Sequence, residues 1–189
     1  MKFCRNVIFR NNTRKFNFKK VQEYDKKIME MFMMRRVDKE IKDKEVIVSI
    51  IQEADHCMLA LSDNNNPYIV PMNFGYKDRV LYLHSSPEGR KIEILKENNK
   101  VSFGVQIKTQ LVKSKSPCNW GMKYMSVIGE GYAHFVEDSK DKIEALNIIM
   151  AKYSNVESGI FNYSETSLNR IILIKVEIIG LKGKISGYE

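Results

Sequence analysis

The stretch HCMLALSDNNNPYIVPMNFGYKDRVLYLHS, residues 56–85, decides the fold class of this chain. It contains three mainly apolar runs, His56 to Leu61, Tyr68 to Tyr76 and Arg79 to Ser85. Between them stand Asp63-Asn64-Asn65-Asn66-Pro67 and Lys77-Asp78. Val, Ile, Leu and Tyr suit a pleated, half-buried surface, whereas Asn, Asp and Pro take up turn conformations cheaply, so the pattern predicts antiparallel strands joined by tight turns. Pro71 lies inside the second run. A proline has no N–H to offer a neighbouring strand, so this strand is expected at a sheet edge or at a bulge.

Reading outward from these strands, Asp43 is a natural N-cap, and Ile47, Ile50, Ile51 and Ala54 follow on one helical face. A short helix through Glu93, Ile94 and Leu95 follows the third strand, and Val101, Phe103, Val105 and Ile107 then alternate with period two. Another strand is expected from about Lys123 to Phe135. A helix over 139–153 carries the stripe Ile143, Leu146, Ile149, Met150 and Tyr153, all expected in the core. The last strand, Ile171 to Ile179, places Ile172, Ile174, Val176 and Ile178 on one face. Six strands joined mostly by hairpins, with a few short helices, predict a mainly β (α+β) fold: a closed or nearly closed six-stranded antiparallel β-barrel with flanking helices. The expected organisation is a basic N-terminal extension over 1–32, helical from about residue 19 through Val21, Tyr24, Ile28 and Met31, followed by one barrel domain over 33–189.

Composition narrows the function classes. The 189 residues are 43% hydrophobic and 10% aromatic with only 4 Pro and 10 Gly, which fits a packed domain and no low-complexity class. The net charge is +8. Residues 1–44 hold 14 Lys and Arg against 6 Asp and Glu, leaving 17 against 17 in the rest, so the excess is entirely in the leader. A neutral body argues against nucleic acid as the partner of the barrel, and the leader is read as a solvated helix face, with contact to nucleic acid, an anionic surface or a partner chain as its alternatives. Apolar runs such as Ile171 to Ile174 fall far short of the roughly 20 residues that span a bilayer, so no membrane partner is expected. The N-terminal apolar stretch is only Val7, Ile8 and Phe9, too short for a signal peptide, and a cytoplasmic location is expected. Cys4, Cys57 and Cys118, like His56, His84 and His134, are scattered, so neither a disulfide framework nor a metal site is expected.

The chemistry concentrates in Leu81-Tyr82-Leu83-His84-Ser85-Ser86-Pro87-Glu88-Gly89-Arg90-Lys91. A strand ends at His84 or Ser85, with Ser86 suited to N-cap a helix and Pro87 to its first position. Arg90 and Lys91 then fall in the first turn, where the helix dipole disfavours cations. An anion resolves the conflict: free backbone N–H groups, serine hydroxyls, a guanidinium and an ammonium converging on one point suit a phosphate. The alternative at this point is that both cations extend into solvent. His84 shares strand parity with Val80 and Tyr82, opposite Leu81, Leu83 and Ser85. No G-x-G-x-x-G follows a strand, and no P-loop or G-x-S-x-G elbow is present, so dinucleotide, nucleoside-triphosphate and serine-hydrolase chemistry are unsupported.

With Met33-Met34-Arg35-Arg36, Ala60-Leu61-Ser62, Tyr68 to Tyr76, Leu81 to Lys91, Cys118 to Gly131 and Ala145 to Met150, the chain resembles the flavin-binding split-barrel proteins related to pyridoxamine 5′-phosphate oxidase. Within them it is most similar to the branch containing the nitroimidazole-resistance proteins. The resemblance covers about residues 33–187. It implies a homodimer that holds FMN, or FAD in the same groove, at the subunit interface. It places Val70, Pro71, Met72 and Asn73 along the flavin ring, His84, Ser85 and Ser86 beside the phosphate, and Arg90 and Lys91 as its cationic partners. Ser126 is implied to reach the cofactor across the dimer, with Tyr124 close by. The implied activity is that of an FMN-dependent oxidoreductase reducing a small organic substrate, a nitroaromatic among the candidates, with electrons from an external donor. His84 is the candidate catalytic residue, with positioning of the phosphate as its other role. The chain ends Leu181 to Glu189 without a counterpart of the C-terminal residues that grip the substrate in true pyridoxamine-phosphate oxidases, so vitamin B6 oxidation is not expected. A flavin-storing module without turnover, and a barrel binding haem or a deazaflavin, remain open alternatives.

Overall fold

A computed structural model describes residues 34–154 and 161–188. The helix expected over 19–33 lies outside them. The strands are β1 (Glu40–Ile41), β2 (Cys57–Asp63), β3 (Asn66–Met72), β4 (Phe74–Lys77), β5 (Val80–Ser85), β6 (Lys100–Val112), β7 (Gly121–Val136) and β8 (Ile172–Ser186). The helices are α1 (Lys44–Glu53), α2 (Arg90–Glu97), α3 (Ser139–Tyr153) and α4 (Glu165–Asn169). All pairings are antiparallel, in the order β3-β2-β6-β7-β8-β5-β4, with β1 added to β8.

The mainly antiparallel barrel with short helices is as expected, but the strand count is eight rather than six. The run Tyr68 to Tyr76 is two strands broken at Asn73, and the two-residue β1 carries no periodic signal of its own. The break has a topological consequence. β3 and β4 are the two edges of the hydrogen-bonded path, and they follow each other in the chain with only Asn73 between them. The backbone itself therefore carries the chain from one edge of the sheet to the other. Pro71 sits on edge strand β3 opposite Met58, the kind of position at which a strand tolerates proline.

Strand parity fills the interior. Leu59, Leu61, Leu81, Leu83, Val101, Phe103, Val105, Val127 and Val176 are buried in one cluster, closed at one end by Ile47, Ile50 and Ile51 of α1. Asp43 caps α1 by accepting the Glu45 N–H at 2.8 Å. Asp138 caps α3 in the same way through the N–H groups of Lys140 and Asp141. The buried stripe of α3 is narrower than expected. Ala145, Leu146 and Ile149 pack with Leu168 and Leu173 in a second cluster, whereas Ile143, Met150 and Tyr153 are exposed. A helix laid on a sheet presents only its innermost line of side chains, and the flanking positions stay in water. At Gly75 of β4 the backbone of α3 comes so near that an added Cβ would lie 2.8 Å from the Ile148 carbonyl carbon.

Candidate functional site

Leu81, Leu83 and Ser85 of β5 point into the core, and pairing with β8 fixes them there, Leu83 opposite Ile174 and Ser85 opposite Ile172. His84 consequently faces outward and is exposed. The chain then turns through Ser86 to Gly89, with the Ser86 Oγ accepting the Glu88 N–H at 3.5 Å. The helix begins three residues later than the Ser86 N-cap predicts. Gly89 occupies the cap position with φ 116°, a conformation that glycine alone adopts easily, and it supplies no side-chain acceptor. The first-turn N–H groups of α2 thus lack a side-chain cap, and Arg90 and Lys91 are its first two residues.

These elements enclose a groove of about 510 Å³. Of the residues expected at a cofactor, Pro71, Met72 and Asn73 enter it from the β3 edge, His84, Ser85 and Ser86 from the end of β5 and the turn, and Arg90 and Lys91 from α2. Val70 does not line it; its side chain turns inward against the barrel core, on the opposite parity from Pro71. Tyr124 and Ser126 are not in the groove either. They lie on β7, where Lys184 Nζ stands 5.5 Å from the Tyr124 ring and Ser126 pairs with Gln106 and Lys184.

The groove carries two cations held differently. Lys91 Nζ lies 3.2 Å from the Met72 thioether sulfur, and among the described residues no carboxylate forms an ion pair with it. Burial pushes its pKa below the ordinary lysine range. Arg90 is more open: its guanidinium stacks 4.9 Å above the Tyr68 ring and stands 3.5 Å from an Asp63 carboxylate oxygen. A half-buried ammonium without a carboxylate, a stacked guanidinium and uncapped helix N–H groups form a site for a compact anion. No Cβ contact would arise within 4 Å at Gly89, so the backbone there is open to close approach. These residues fit the phosphate of a flavin nucleotide.

Sequence reasoning missed Tyr68 and Glu88 as groove residues. Tyr68 gave no signal, because its role depends on β3 lying beside α2. Cys57, quoted in the strand pattern, is buried and its thiol is pushed up to about 12 by desolvation, which disfavours the reactive thiolate. Among the described residues no group of three His, Cys, Asp or Glu could hold a metal ion, and no helix is long and apolar enough to cross a membrane.

Residues 43–184 match the family described as pyridoxamine 5′-phosphate oxidase. Among solved structures, a candidate 5-nitroimidazole antibiotic resistance protein from Bacteroides thetaiotaomicron is 40% identical over 77% of this chain and 86% of its own, with a TM-score of 0.69. A flavocytochrome from Azotobacter vinelandii superposes with a TM-score of 0.72 at 20% identity, covering 82% of this chain and 73% of its own. An FAD and heme binding protein from Mycobacterium smegmatis gives 0.72 at 17% identity, covering 79% and 74%. At those identities the latter two share the fold alone. No curated protein matches the sequence.

Proposed function

The chain belongs to the pyridoxamine 5′-phosphate oxidase family, and on that premise we propose that it is an FMN-dependent oxidoreductase reducing a small organic, nitroaromatic substrate with electrons from an external donor. The observation that carries the reading is the meeting of Arg90, Lys91 and the uncapped start of α2 with the open edge of β3 in one groove. When bound, FMN supplies the redox-active ring; the protein supplies binding, orientation and exclusion of water.

The chain's residues divide that work. Arg90, Lys91 and the first N–H groups of α2 neutralise and hold the phosphate. Ser86 offers a hydroxyl beside it, and the β3 edge from Pro71 to Asn73 borders the ring. His84, exposed in the groove, donates an imidazole N–H to the phosphate and so positions it. The nitroaromatic class is supported by the 40% identical relative, which is described in terms of 5-nitroimidazole resistance.

We assign the exposed apolar surface of β6 and β7, with Leu111, Met122 and Ile128 and with Trp120 just before β7, to a second copy of the chain. A homodimer formed through it carries Tyr124 and Ser126 of the same strand in its interface. The test is an absorption spectrum of protein purified without added cofactor, mass analysis of any released chromophore, and anaerobic reduction of a 5-nitroimidazole under several donors. Flavin bands, an FMN mass and acceptor consumption support the reading. A colourless protein that takes up no added FMN refutes it, an FAD mass corrects the cofactor, and bound flavin with no acceptor reduced leaves a storage module.

A further inference from the structure

The C-terminal end of α3 reaches Phe74, the residue that follows Asn73 of the groove. Tyr153 Oη accepts the backbone N–H of Phe74 at 3.0 Å and donates its own proton to the Asp55 carbonyl at 2.7 Å. Lys152, its neighbour, donates to the carbonyls of Ile51, at 3.3 Å, and Gln52 in the last turn of α1, where the chain leaves carbonyls unpaired and a cation is favoured. Its Nζ also stands 4.5 Å from the Phe74 ring centroid. These contacts join α3 to two places, the end of α1 and the residue directly after Asn73.

That second place is the break between β3 and β4, where no ladder continues across from one strand to the next. Phe74 is fully buried, and Asn73 lines the groove. The two share a planar trans peptide, in which the Asn73 carbonyl points opposite to the Phe74 N–H. Fixing the N–H toward α3 therefore fixes the carbonyl away from α3. The close passage of Ile148 over Gly75 holds the helix against β4, so the Tyr153 hydroxyl arrives at a set distance.

We propose that Tyr153 is a positioning residue for the groove: by taking the Phe74 N–H it locks the Asn73–Phe74 peptide and presents the Asn73 carbonyl as a rigid acceptor for an N–H of the bound flavin ring. The proposal rests on the flavin reading above and deepens it. Tyr153 touches no ligand itself. The residue is 40% exposed and its hydroxyl is used twice, which fits a residue of the helical stripe that stands at the edge of the core rather than within it.

The test compares wild type, Tyr153→Phe and Ile149→Val. Tyr153→Phe keeps the ring and removes both hydrogen bonds, leaving the Phe74 N–H without its acceptor. Ile149→Val deletes one methylene from the buried face of the same helix, 3% exposed, and so reports general loosening of α3. Titrated with FMN, Tyr153→Phe is expected to bind about tenfold more weakly, the scale of one lost hydrogen bond. Its bound flavin should also show a shifted visible absorption band. Ile149→Val should lower the melting temperature and leave both the Kd and the band where they were. Equal binding and an unshifted band in Tyr153→Phe, or matching losses in both variants, overturn the proposal while leaving the flavin reading intact. A wild type that binds no FMN overturns both. Should Tyr153→Phe fail to fold, amide exchange in the wild type decides: a slow Phe74 amide supports the lock, and one that exchanges as fast as an open strand edge refutes it.

Discussion

Replacing Arg90 and Lys91 together by Ala removes both groove cations of α2 without disturbing its buried face, which is Ile92, Ile94 and Leu95. Lys91 is half-buried and has a thioether as its polar neighbour, so its attraction for a phosphate at about 4 Å lies between the water value of ~1 kcal/mol and the ~4 kcal/mol of a partly desolvated pair. A contribution of about 2 kcal/mol is reasonable for one charge-assisted bond. Arg90 is more exposed and already shares its guanidinium with Asp63, so about 1 kcal/mol is appropriate. The sum, about 3 kcal/mol, corresponds to a Kd for FMN about 150-fold higher. The assay is quenching of flavin fluorescence, run in parallel with riboflavin, which carries the same ring without a phosphate. Riboflavin should bind both proteins alike. The melting temperature of the ligand-free variant should stay close to that of the wild type, because the exposed Arg90–Asp63 pair contributes little and the buried face of α2 is untouched. Unchanged FMN affinity, or an equal loss for riboflavin, would refute the phosphate assignment.

Three further outcomes follow from the same structure. Because burial holds the Lys91 pKa below its ordinary 10.5, its charge is lost earlier than an exposed lysine's as pH rises. The phosphate stays fully ionised above about pH 7, so the FMN-to-riboflavin affinity ratio should fall with rising pH before 10.5 is reached, and stay flat in Lys91→Gln. Gly75→Ala puts a methyl 2.8 Å from the Ile148 backbone and should cost about 2 kcal/mol, a fall of about 6 °C by calorimetry; an unchanged melting temperature would show that α3 is free to shift. In the native protein, iodoacetamide at pH 8 should label exposed Cys118 and spare Cys57, whose thiol is pushed up to about 12; peptide mass mapping reads both.

The positions of the site residues divide by how far apart their causes lie in the chain. His84 facing out while Leu83 and Ser85 face in required only strand parity, and two cations in the first turn of a helix required only the order strand, turn, Arg90-Lys91. Both were readable locally. The start of α2 was not: Ser86 and Pro87 are good cap chemistry, yet the helix waits for Gly89, because the turn that carries the chain out of β5 takes those residues first. Val70 was placed with its neighbours in sequence, but its side chain packs against the barrel core within the strand, while Pro71 on the outer face and Met72 at the strand's end border the groove.

By itself the sequence determined the antiparallel barrel, since period-two patterning and turn residues are properties of short segments, and it marked the segment to which the proposed anion site is assigned. Only the tertiary structure decided where the barrel's two edges meet, that Lys91 comes to rest on Met72, that Tyr68 lies beneath Arg90, and that Tyr153 uses its hydroxyl on Phe74 rather than its ring in the core. Each of these joins residues from different elements. Their meeting depends on the distance and angle at which sheet and helices pack, and no local pattern of side chains encodes that distance.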